Sequence, residues 1–145
     1  MTGLISISLT ACGQQTSAPT ASQETPDAAQ RQIAMESDDG ERTYKQVCMA
    51  CHASGVAGAP KTGDAEGWAK LLEEGQATVT AHGWVGVRGM PAKGGRADLA
   101  LRDFARATAW MARSAGGDWP NPDDAMLAAI RDEEVKRIAE LQARP

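Results

Sequence analysis

The run Cys48-Met49-Ala50-Cys51-His52 constrains this chain more than any other feature. Two thiols three positions apart fall one helical turn from each other, and an imidazole follows directly. Such a pair can add across the two vinyl groups of a haem to form thioethers, while the neighbouring imidazole reaches the iron. The haem edge and its iron lie at fixed distances, so these roles must be packed into a few residues. The pattern reads as c-type haem attachment. Two other chemistries use a Cys-x-x-Cys pair. A zinc site needs further ligands, and the chain offers only Cys12 and His82 beyond the motif. A dithiol redox pair sits beside a strand–helix pattern, and no stretch here alternates strictly enough to be a strand.

A haem iron held by His52 needs a second axial ligand or an open position for a small gas. Met90 is the candidate, in Gly86-Val87-Arg88-Gly89-Met90-Pro91-Ala92-Lys93-Gly94-Gly95. A thioether is soft, favours ferrous iron and raises the reduction potential. A glycine-rich loop lets the backbone pass close over a flat haem face. Two alternatives stay open: Met90 packs only in the core, or His82 takes the iron. His82 also reads as a surface residue at a helix end.

The rest of the pattern is helical. Residues 40–50 form a helix with Tyr44 and Val47 on one face. Residues 53–64 form a loop, with three glycines and Pro60. Residues 65–74 form a short helix through Trp68, Leu71 and Leu72, stopped at Gly75. Residues 76–82 make a further short helix or turn, and residues 83–95 are loop again. A longer helix runs over 97–114, with Leu99, Leu101, Phe104, Ala105, Thr108 and Met111 at helical spacing, ended by Gly116 and Gly117. A last helix spans 121–142, with Asn121 as cap and Pro122 at its first position. Leu127, Ile130, Ile138 and Leu141 give it an apolar stripe, which either docks on the domain or meets a partner. The fold class is all-α. Only 4% of residues are aromatic, and a small core that poor in rings usually needs a metal, disulfides or a cofactor.

The first residues carry a different signal. Leu9-Thr10-Ala11-Cys12 resembles a bacterial lipobox, in which cleavage precedes the cysteine and its sulfur is lipidated. No Lys or Arg precedes the short apolar stretch, which departs from that pattern; an ordinary signal remnant is the other reading. Residues 1–12 are therefore expected to be a signal or lipobox remnant. Residues 13–39, polar and without apolar period, read as a flexible linker. No run approaches the roughly 20 apolar residues a membrane helix needs. The expected location is periplasmic, with possible membrane attachment by lipid on Cys12.

From Gly40 to about Gly117 the chain resembles a class I c-type cytochrome, in particular the cytochrome c-five group. Gly40 and Tyr44 match that family's first helix, where the glycine lets the first and last helices cross closely. Trp110 and Met111 resemble the aromatic–aliphatic pair of its last helix. Gly55-Val56-Ala57-Gly58-Ala59-Pro60-Lys61 resembles the loop after the haem motif. The resemblance implies that the Pro60 carbonyl accepts a hydrogen bond from the His52 ring. It also implies that Trp68 lies near the haem edge, and that Met90 with Pro91-Ala92-Lys93-Gly94-Gly95 forms the methionine loop. Some relatives carry an extra cysteine pair, which is absent here. Residues 118–145 lie outside the family core and form a C-terminal helical extension to the 40–117 domain.

The resemblance implies one covalently attached haem c per chain, with Cys48 and Cys51 as thioether residues and His52 and Met90 on the iron. The expected role is one-electron transfer between respiratory redox partners, by a monomer that catalyses no bond-making reaction. A haem subunit of a larger dehydrogenase and a haem-based gas sensor are the alternatives. The net charge of −4 argues against nucleic acid as a partner. Residues 40–117 are nonetheless mildly basic, with ten basic and seven acidic side chains. Arg88, Lys93 and Arg96 cluster around the methionine loop. They either steer acidic partners to the haem edge, or bind haem propionates, or simply face water.

Overall fold

The computed structural model describes Gln30 and residues 39–143. Cys12, the segment before it and nearly all of the 13–39 linker lie outside the described residues. The described residues are helical, and their only β-type pairing is an isolated bridge between Val87 and Met90.

Helix α1 covers residues 39–52. It begins as α-helix over 39–43, passes through a π-helical turn at Tyr44–Cys48 and finishes as α-helix at Met49–His52. In the π turn the Met49 amide donates to the Tyr44 carbonyl, five residues back. The extra residue in that turn resets the buried face. Tyr44, Cys48 and His52 all end up buried, while Lys45, Met49 and Cys51 stay exposed.

Helix α2 is Ala65–Glu74, capped by the Asp64 carboxylate, which accepts from the Gly67 amide. Gly75, at φ 91°, ends α2 and opens α3, Gln76–Val85. α3 runs three residues past the short turn expected at 76–82. Gly83, expected in the loop, stays helical against Phe104; a Cβ there would come 3.0 Å from Phe104 Cζ. Helix α4 is Leu101–Ser114, beginning four residues later than the sequence suggests. Asp98 is drawn back to Arg96, and the Leu99 amide bonds the Arg96 carbonyl, so residues 96–99 form a turn instead. Helix α5 is Asp124–Gln142. Its cap is Asp123, which accepts from the Met126 amide at 2.7 Å. Asn121, the expected cap, instead accepts from the Arg113 guanidinium at 3.3 Å.

α4 lies between two apolar clusters. Ala107, Ala109, Met111 and Ala112 pack with Tyr44, Cys48, Trp68 and Trp119 on one side. Leu101, Phe104 and Ala105 pack with Ala81, Trp84 and Ile130 on the other. Alanines let neighbours approach α4 closely. The six aromatic residues then form three pairs: Tyr44–Trp110, Trp68–Trp119 and Trp84–Phe104. At the α1–α4 crossing, a Cβ on Gly40 would stand 2.7 Å from the Arg106 carbonyl oxygen, so a close approach requires glycine there.

The segment after α4 is tied down before α5 begins. Arg113 donates to the Trp119 carbonyl, Gln76 to that of Pro120 and Arg102 to that of Pro122. α5 then docks on α3 through Met126, Leu127 and Ile130, the last fully buried. The expected stripe is buried only in its first half. Ile138 and Leu141 remain more than a third exposed, and Val135 is 68% exposed. No helix among the described residues is long and apolar enough to cross a membrane.

Candidate functional site

The end of α1 presents the two thiols differently. Cys48 is buried beside Tyr44, and Cys51 is exposed; both are free. Burial, with a smaller contribution from Cys51, pushes the Cys48 thiol up to about 11. That direction is opposite to the lowered pKa of a dithiol oxidoreductase's reactive thiol. Among the described residues, no three His, Cys, Asp or Glu side chains converge into a cluster that could hold a metal ion.

His52 closes α1 and is 6% exposed. Its Nδ1 lies 2.9 Å from the Pro60 carbonyl oxygen. A carbonyl can only accept, so Nδ1 carries the proton, and in the neutral ring the lone pair is on Nε2. The loop 53–64 is shaped to deliver that carbonyl. The Thr62 amide donates to the His52 carbonyl at 2.8 Å, folding the chain back on the helix end. The Trp68 indole N–H donates to the Lys61 carbonyl at 3.0 Å, fixing the loop's far end to α2. Trp68 itself is buried edge-on against Trp119, in the same cluster as Cys48.

Met90 is half-buried and belongs to the second cluster, with Trp84 and Phe104. Its amide and carbonyl pair with those of Val87 at 2.9 and 3.1 Å, making a tight turn. Gly86, at φ 101°, lets α3 turn into this loop, where a Cβ would meet the Ala92 amide at 3.0 Å. Past the methionine, a Cβ on Gly94 would come 2.9 Å from Val47 of α1. The loop thus touches the helix that carries the thiols. A buried imidazole with a free nitrogen lone pair, a thioether and two free thiols form a donor set that suits a haem held through its edge and its iron.

The other candidate residues lie elsewhere. His82 is half-buried, its Nδ1 4.0 Å from a Glu74 oxygen. The basic cluster is thinner than the sequence suggests. Arg96 is paired bidentately with Asp98, and the Lys93 ammonium stands 4.5 Å from the Trp84 ring centroid. Arg88 is exposed, at φ 54°. Sequence reasoning gave Trp84 and Glu134 no role. The Trp84 indole N–H donates to Glu134 Oε1 at 3.0 Å, across fifty positions of chain. No local pattern announces that bond.

The family model described as "Cytochrome C oxidase, cbb3-type, subunit III" matches residues 36–111, just over half of the chain. The chain belongs to the class I c-type cytochromes. Covalently bound haem c comes with that membership, and Cys48, Cys51 and His52 fit its attachment motif. Cytochrome c-555 of Prosthecochloris aestuarii is 40% identical over 81 residues, covering 50% of this chain and 82% of that protein. Cytochrome c5 of Ectopseudomonas mendocina is 42% identical over 53 residues, covering 35% of this chain and 61% of that protein. The fold is similar to that of a chain in the crystal structure of an electron transfer complex of nitrite reductase with cytochrome c. That match has a TM-score of 0.51 and 40% identity, over 53% of this chain and 94% of the other. Like these relatives, this cytochrome is an electron carrier in its all-α fold.

Proposed function

We propose that this cytochrome moves single electrons between redox proteins of the bacterial cell envelope, with His52 and Met90 as the two axial ligands. The observation that carries the assignment is the His52–Pro60 hydrogen bond of 2.9 Å, which commits Nδ1 to a carbonyl and leaves Nε2 for iron. Haem iron supplies the ferric–ferrous couple. Cys48 and Cys51 hold the group through two thioethers. Pro60 fixes the imidazole's tautomer and rotation. Met90 offers its thioether from the opposite loop and favours the reduced state. Trp68 braces the loop that carries Pro60.

Residues 40–117 form the haem domain in this reading, and 118–145 form an extension to it. The chain works as a monomer in the periplasm, tethered through lipid on Cys12 and a linker over 13–39. The relative in complex with nitrite reductase supports a terminal reductase as one class of acceptor. A second reading, a haem subunit of a larger complex, draws on the oxidase-subunit family and on the exposed Val135, Ile138 and Leu141. Co-purification from the native host separates the two.

The test is voltammetry of the holoprotein, followed by carbon monoxide addition to the reduced form at neutral pH. A carrier shows a reversible one-electron couple and no carbon monoxide adduct. Ready adduct formation contradicts the carrier reading and returns the protein to gas sensing.

A further inference from the structure

The methionine loop is a run of tight turns. Residues 86–95 carry the Val87–Met90 pair and a bond from the Gly94 amide to the Pro91 carbonyl, while the Lys93 carbonyl accepts from the Arg96 amide and its ammonium donates to the Ala97 carbonyl. Arg88 and Lys93 sit at φ 54° and 55°, in the left-handed region that side-chain-bearing residues occupy at a cost. Such a loop keeps its shape only if its surroundings impose it.

Trp84 is where the surroundings meet the loop. Its indole is 8% exposed and makes three contacts in three directions. The N–H donates to Glu134 of α5 at 3.0 Å. The ring packs edge-on against Phe104 of α4, centroids 5.6 Å apart. The Lys93 ammonium lies 4.5 Å from the ring centroid, within cation–π range. Phe104 in turn backs Gly83, where a Cβ would meet both Phe104 Cζ at 3.0 Å and Met90 Cε at 3.6 Å. Met90 packs against the same cluster, so Trp84, Phe104 and Met90 share one apolar packing unit, which Glu134 reaches through the indole N–H.

We propose that the C-terminal helix clamps the methionine loop through Trp84, with Glu134 as the residue that fixes the indole. Glu134 and Trp84 are positioning residues in this arrangement; neither touches the iron. The inference rests on Met90 being the second axial ligand and adds what keeps it there. The device belongs to this chain's extension, because the family match ends at residue 111, ahead of α5. Ile130, fully buried, anchors α5 on α3 just ahead of Glu134. Without a carboxylate acceptor, a nearly buried indole N–H is left unpaired and the ring turns toward another partner. Lys93 then loses its platform, and Phe104 loses the edge that holds it against Gly83.

Imidazole added to the ferric holoprotein reads the loop directly, because it must displace Met90, and its apparent affinity follows the open fraction of the loop. The far-red absorption band of sulfur-ligated ferric iron reports the same event. In Glu134→Ala, imidazole binds on the order of tenfold more tightly and the band weakens, as expected for losing a hydrogen bond to a charged group. Trp84→Phe keeps a ring but loses the donor, and shifts the same way. Glu134→Gln restores an acceptor and stays within about twofold of the wild type. Val135→Ala, an exposed neighbour on the same helix, changes nothing. Wild-type imidazole affinity and a full band in both Glu134→Ala and Trp84→Phe would overturn the clamp. Absence of the far-red band in the wild type would instead overturn the ligand assignment, and the clamp with it.

Discussion

The two sides of the proposed haem site are built by different means. On the histidine side everything is close in sequence: Cys48, Cys51 and His52 lie within five residues, and the Pro60 carbonyl that orients the ring is eight residues away. On the methionine side, Met90 packs in the cluster of Phe104, and Trp84 of that cluster reaches Glu134 fifty positions on. A site held by short-range bonds is fixed by its motif and tolerates little change. A site held by long-range packing can be re-tuned from outside, and here Ile130 of α5, beyond the residues that the family model matches, supplies part of that packing.

Breaking the histidine side should have the largest effect. His52→Ala is expected to abolish the mature holoprotein, read by haem staining of denatured protein. Met90→Ala should leave haem covalently attached. It lowers the reduction potential by on the order of 0.1 V, within the ~0.8 V span that axial ligands command; voltammetry measures it. An equal loss of attached haem in both variants would break the contrast. Ile130→Ala removes the fully buried anchor of α5 and is expected to cost about 3 kcal/mol in denaturant unfolding. Gly40→Ala places a Cβ 2.7 Å from a backbone oxygen at the α1–α4 crossing and should cost about 2 kcal/mol in the same assay. Asp123→Ala removes the α5 cap for about 1 kcal/mol, which Asp123→Asn should restore.

The legibility of the site follows the same division. The attachment motif, the helix over 65–74 and the glycine at the helix crossing could be read because each depends on near neighbours or on a spacing. The end of α3 could not. Gly83 reads as a loop residue in any local window, and only its contact with Phe104 holds it in the helix. The α5 cap lies two residues past the expected Asn121 because Asn121 and Asp123 are both good caps by type, and Arg113 claims the first. The π turn at Tyr44–Cys48 left no mark in the apolar spacing, and Cys48 and His52, four residues apart, share one buried face beyond it. Arg96 and Lys93 read from sequence as partner-steering, propionate-binding or water-facing charges; local windows do not reveal the Asp98 carboxylate and Trp84 ring beside them.

The most direct test of the account is the visible spectrum of the holoprotein, oxidised and reduced, after maturation with haem-attachment machinery. The account predicts one covalently bound haem c, sharp reduced bands and a far-red band in the oxidised form that Met90→Ala removes. Covalent haem without that band would contradict the methionine side. No covalent haem would contradict the whole assignment and return Cys48 and Cys51 to thiol or metal chemistry.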